Sequence, residues 1–141
     1  MAVIGDRHRE IERLLAERNR TERELRRVNR ALRVRSECNQ AIVRAEAEPA
    51  LLQAVCRILV EPGGYRMAWV GYAEADGQRR VWPMAMAGHE TAYVERIKIT
   101  WADDEHGQGP GGKALRTGVP QVNRDFRSNA YMTPWRVDAL A

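Results

Sequence analysis

From Arg7 to Ala45 the sequence contains neither proline nor glycine, and its apolar residues return every seven positions. One seam position runs through Ile11, Arg18, Leu25, Leu32 and Asn39, the other through Leu14, Thr21, Val28, Arg35 and Ile42. Ile11, Leu14, Leu25, Val28, Leu32 and Ile42 carry the stripe, and four polar residues interrupt it. A stripe this narrow cannot bury itself against one small domain. The pattern therefore predicts a long helix that pairs with a second copy of itself, most simply as a parallel homodimer. The alternative on the same residues is a solvated helix frayed at its start.

"AEAEP" ends that helix, so residues 1–45 form a signalling or dimerisation helix and residues 46–141 a separate small domain. Pro49 suits the first residue of a second helix, about Pro49 to Val60, which "EPGGY" stops. Tyr65 to Ala75 and Arg79 to Ala87 are predicted strands, joined by a turn at Asp76-Gly77. Pro83 removes a ladder donor and implies an edge position or a bulge. A short helix is expected over His89 to Arg96, a third strand over Ile97 to Trp101, and another helix from about Gly111 to Thr117 with Gly118 as its stop. The fold class is α+β.

Gly107 to Lys113 carries seven of the eight characters of a phosphate-binding loop. Three features argue against a triphosphate there. Ala114 stands where a hydroxyl would bind magnesium, Pro110 removes a donor from the cradle, and Asp103, Asp104 and Glu105 place carboxylates just upstream. The surviving idea is an anion at the start of the helix that follows.

Composition excludes other classes. Hydrophobic residues make up 44% and charged residues 30% of 141, which suits a globular chain. The net charge of +4 is too mild to imply nucleic acid. The basic block from Arg18 to Arg35 overlaps its own apolar seam instead of preceding it, so DNA reading is not expected. Cys38 and Cys56 have neither disulfide-framework nor zinc spacing, and no apolar run approaches a membrane span. "MAVIG" is too short for a signal-peptide core. A cytoplasmic chain with no membrane association is the expectation. Asp103 to His106 lack the spacing of a calcium loop, so no metal is expected, and a solvated loop or caps for the next helix are the favoured roles.

"GQGPGGKALRTGVPQVNRD" resembles the signature of GAF domains. In that signature a glycine loop enters a helix ending at Thr-Gly-x-Pro, and a strand then leads to an Asp. Gly107, Gly109, Gly112, Ala114, Thr117, Gly118, Pro120 and Asp125 occupy those positions. "NRALRVRSECNQAIVRA", "LLQAVCRILVEPGGYRMAWVGYAE", "IKITWADDEHGQGP" and "PWRVDALA" resemble one bacterial subgroup of GAF domains, found in sensor histidine kinases and diguanylate cyclases. "RTERELRRVNRAL" resembles the helix that joins a PAS sensor to such a domain. The likeness runs from about Leu25 to the end.

The resemblance implies a regulatory domain with an antiparallel sheet, flanking helices and a small-molecule pocket on one sheet face. Two further strands would normally follow "PWRVDALA", so the expected sheet lacks its last two strands and could exchange strands at its open edge. Pocket candidates are Met67, Trp69, Trp82, Met84, Met86, Trp101, Gly109, Gly112 and Asp125; ordinary core is the competing role for the large side chains. Period two places Met67 with Trp69, and Trp82 with Met84 and Met86, each on one strand face. The ligand and any cofactor are unknown, and no catalysis is expected of this chain. A dimerising module that binds no ligand is the alternative.

Overall fold

A computed structural model describes residues 2–89, 94, 97–124 and 127–135. The chain is α+β: a long N-terminal helix, a second helix, a two-stranded antiparallel sheet, and short helical segments after it. Helix α1 spans Ala2–Arg44. Its 43 residues give a rod of about 65 Å at 1.5 Å per residue. Side-chain ion pairs three or four residues apart support it, including Arg13–Glu10, Arg26–Glu22 and Arg33–Glu37. Each exposed pair of this kind contributes only about 0.3–0.5 kcal/mol. The seam residues Ile11, Leu14, Leu25, Val28, Leu32 and Ile42 are all exposed, by 45% to 59%. Only the opposite face is partly covered: Val34, Cys38, Ala41 and Ala45 are half-buried near helix α2.

Helix α2 spans Glu48–Val60, with Ala47 as its N-cap and Pro49 one residue later than the sequence suggested. A proline tolerates either first-turn position, because its missing N–H has no intrahelical acceptor there. Strands β1 (Met67–Ala73) and β2 (Val81–Gly88) pair antiparallel, each shorter than its predicted run. Register shifts between Val70 and Gly71: Val70 pairs with Ala85 and Gly71 with Pro83, leaving Met84 as the extra residue. The bulge sits beside Pro83, as its missing donor implied.

The hairpin turn departs from the two-residue form. Glu74 N–H donates to Arg80 O at 2.9 Å, so the loop is longer than Asp76-Gly77. The left-handed residue is Arg79, at φ 47°, and not Gly77. The Asp76 carboxylate offsets that strain by accepting from the N–H groups of Gln78 and Arg79, at 3.1 and 2.7 Å.

Helix α2 covers the sheet face of Val70 and Tyr72. The Tyr72 hydroxyl donates to Glu48, and Gln53 Nε2 donates to Met86 O at 2.7 Å. Cys56 is completely buried there; burial pushes its thiol up, against a weaker opposing hydrogen bond with the Val70 backbone.

The predicted third strand, Ile97 to Trp101, is not a strand among the described residues. It is one bridge, Arg80 to Thr100, flanked by Val81 N–H to Ile99 O at 3.0 Å and Trp101 N–H to Arg79 O at 2.9 Å. The chain leaves the ladder at Thr100 because its hydroxyl and the following backbone serve the next loop. Most of the helix expected over His89 to Arg96 lies outside the described residues. A 3-10 turn at Glu105–Gly107 leads into helix α3, Pro110–Thr117, which ends at Gly118 with φ 67°. Another 3-10 turn, Ala130–Met132, precedes Trp135. Among the described residues no helix is long and apolar enough to cross a membrane.

Candidate functional site

Strand alternation puts Met67 and Trp69 on the sheet face away from helix α2. Segment 97–112 and Trp135 come over that face. They leave a cleft of about 290 Å³ lined by Trp69, Ile97, Ile99, His106, Gly109 to Gly112, Met132 and Trp135. The walls are mainly apolar, and His106 is the one titratable side chain among the lining residues. Its ring meets Trp135 edge to face at 6.3 Å. Trp135 is 5% exposed and is fixed by Nε1–H donating to Lys98 O at 3.0 Å. The cleft therefore has a rigid aromatic wall with its one polar edge satisfied.

The glycine segment is held from below by a hydrogen-bond knot. Thr100, 2% exposed, donates its hydroxyl to Asp104 Oδ1 at 2.9 Å, and Gly107 N–H donates to the same oxygen at 2.8 Å. Desolvation pushes the Asp104 carboxyl up. The Thr100 hydroxyl, the Gly107 and His106 backbone N–H groups and the His106 charge outweigh it and hold the group below its ordinary value. Arg116 reaches back from helix α3 and donates through Nη1 to Ala102 O at 2.6 Å and Gly107 O at 2.7 Å. Asp103 accepts from Gln108 Nε2 at 2.6 Å. Asp104 is thus the cap of the 3-10 turn, whereas the helix that follows starts at Gly109 without a side-chain cap.

Close packing explains two of the glycines. A Cβ on Gly112 would lie 2.2 Å from Gly107 O and 2.7 Å from Thr100 O. A Cβ on Gly109 would lie 2.7 Å from the Trp135 ring, on the cleft side. Gly112 lets helix α3 sit against the loop, and Gly109 keeps the cleft open. Pro110 opens the helix, and Lys113 N–H is already used by Gly109 O at 3.0 Å. The Lys113 ammonium lies 4.0 Å over the Tyr131 ring and does not line the cleft.

Of the sequence candidates, Trp69, Gly109 and Gly112 come together in the cleft. Met67 and Met86 are half-buried on the same sheet face, but neither lines it. The bulge separates the residues of β2 that period two had grouped. Trp69 pairs with Met86 and Tyr72 with Trp82, so Trp82 belongs to the opposite face and is 44% exposed. Met84, the bulged residue, is 50% exposed. Trp101 is a latch for the hairpin: its Nε1–H donates to Glu74 O at 2.7 Å, and the Arg79 guanidinium lies 4.8 Å over its ring. Asp125 lies outside the described residues.

No known family model, curated protein or solved structure matches the chain.

Sequence reasoning missed Ile97, Ile99, His106, Met132 and Trp135 as cleft residues. For Ile97 and Ile99 the alternating pattern of "IKITW" was the available signal. For Met132 and Trp135 no local signal existed, because only the tertiary return of the chain brings them to β1. Among the described residues, no group of three or more His, Cys, Asp or Glu side chains could hold a metal ion.

Proposed function

We propose that the chain is a sensory or regulatory module of GAF type from a bacterial signalling protein. In this role the cleft over β1 takes a small molecule, and helix α1 passes its occupancy to a distant output domain. The observation that carries the reading is the cleft. It is concave and mainly apolar, and three distant segments build it, including the glycine segment on which the resemblance rests. The chain performs no chemistry itself in this role.

The proposed mechanism is a population shift. A ligand between Trp69 and Trp135 would favour one packing of segment 97–112 on the sheet, and the sheet lies on α2, which lies on α1. Helix α1 would pair with a second copy through its exposed seam. Covering the remaining surface of six half-exposed seam residues is worth about 1 kcal/mol each, or on the order of 10 kcal/mol for both copies. Association costs about 4–15 kcal/mol, so the pair would be weak enough to change its packing. Arg18, Thr21, Arg35 and Asn39 loosen it further.

A thermal-shift screen of the purified chain against small apolar and aromatic metabolites tests the role. A compound that binds should raise the melting temperature of the wild type and not that of Gly109→Leu, which fills the cleft beside Trp135. Shifts of equal size in both proteins would refute the site.

The exposed seam favours a second reading. Eight large apolar side chains of α1 are exposed, from Ile11 to Val43, far more than the cleft displays. A dimerising module with no ligand would account for them alone. It predicts a blank screen alongside a stable dimer.

A further inference from the structure

The carboxylates of α1 are placed to neutralise some of its arginines and not others. Arg26 and Arg33 have close acidic partners, Glu22 and Glu37. Arg23, Arg30 and Arg35 have no carboxylate partner among the described residues, and Arg27 has only Glu24 at 3.9 Å. Arg23, Arg27 and Arg30 recur at intervals of four and three, so they share one helix face. Like charges at that spacing destabilise a helix, so the face carries an uncompensated electrostatic cost.

That face does not open on flat surface. It lines a cleft of about 680 Å³ between α1 and the end of α2, closed by Gly63, Gly64 and Tyr65. Arg35, Val34 and Leu59 also line it. The Arg30 guanidinium is close enough to Gly64 that a Cβ there would lie 3.0 Å from Nη1. Tyr65 is 63% exposed at the rim. Four arginines thus line a concave space beside one exposed aromatic ring. Guanidinium forks bind phosphate oxygens bidentately.

We propose that this cleft binds a small anion with at least two linked phosphate groups, at the junction where α1 leaves the domain. Arg23, Arg27, Arg30 and Arg35 would hold the phosphates, and Tyr65 would stack on a base if the anion is a nucleotide. An extended nucleic acid fits less well. The arginine face spans roughly 10 Å of helix at 1.5 Å per residue and ends against the Gly63-Gly64 turn. The site is separate from the cleft over β1 and does not depend on the sensory reading. Bound anion would cancel the repulsion within α1 and tie it to the end of α2.

Calorimetric titration of the full chain with inorganic tripolyphosphate and with ATP, at low salt, tests the proposal. Saturable binding of at least one of them, one per chain, is expected. Arg27→Gln/Arg30→Gln should weaken it at least tenfold. Arg9→Gln/Arg13→Gln removes the same charge from the same helix outside the cleft and should change it less than twofold. ATP binding tighter than tripolyphosphate, with the advantage lost in Tyr65→Ala, would identify the ligand as a nucleotide. Equal affinity would assign recognition to the phosphates alone. All four arginines are on the surface, so each variant should keep the wild-type melting temperature within a few degrees. No saturable binding, equal weakening in both double variants, or tighter binding of a DNA duplex than of either small anion would overturn the proposal.

Discussion

Gly111→Ala and Gly112→Ala change adjacent residues of helix α3 by the same single methyl, and the structure requires opposite outcomes. Nothing lies within 4 Å of a Cβ placed on Gly111. Alanine there should be neutral or stabilising by up to about 1 kcal/mol, because it restricts the unfolded chain and favours the helix. On Gly112 the methyl would stand 2.2 Å from Gly107 O and 2.7 Å from Thr100 O. Relief requires a backbone displacement of about 1 Å, and neither neighbour is free to move. Gly107 O accepts from Arg116, and Thr100 is tied by its hydroxyl to Asp104. Overpacking of this kind costs about 1–3 kcal/mol, and partial loss of the Arg116 and Asp104 hydrogen bonds should put the cost at the upper end. The two variants should therefore differ by about 3 kcal/mol in urea unfolding, or roughly 10 °C in melting temperature. Equal stability of the two would refute the account of the glycine segment as a close-packed support for the cleft.

Arg35→Leu converts a polar seam position to an apolar one and should tighten self-association at least tenfold by sedimentation equilibrium; unchanged affinity would mean that the seam is misassigned. A thiol reagent should label half-buried Cys38 in the native protein and reach Cys56 only on unfolding, since Cys56 is completely buried and its thiol is pushed up. Asp104 is held below its ordinary value near 3.8, so its ionised form stabilises the fold above that pH, and this contribution disappears as the pH falls through the lowered value. The stability difference between wild type and Asp104→Asn should accordingly shrink with acidification below that point, and a difference independent of pH would contradict the Thr100–Asp104–Gly107 arrangement.

The elements with strong local signals were legible in the sequence. The absence of Pro and Gly from Arg7 to Ala45 forecast a helix, and the structure continues it from Ala2 to Arg44. The missing donor of Pro83 pointed to an edge position or a bulge, of which the structure has the bulge, and Gly118 forecast the end of α3. Errors arose where one residue changes the meaning of its neighbours. The bulge at Met84 inverts the faces of β2, so a strict period of two placed Trp82 with Met86 when they point apart. The pattern of "IKITW" suits a strand, but Thr100 and Asp104 draw the chain into a capped turn after a single bridge. Trp101 looked like a pocket wall because it is large and ends that predicted strand. Its indole N–H is used by Glu74 O, which no local pattern announces. The cleft itself was half legible. Trp69, Gly109 and Gly112 come from segments with clear signals, whereas Met132 and Trp135 reach it only through tertiary packing.

Native mass spectrometry of the full chain tests the central claim most directly, because one spectrum reports both self-association and cleft occupancy. The account predicts a species of twice the 16.1 kDa chain mass that takes up the screened small molecule, with that uptake lost in Gly109→Leu while the dimer persists. A 16.1 kDa monomer that takes up nothing, or uptake unchanged in Gly109→Leu, would contradict it.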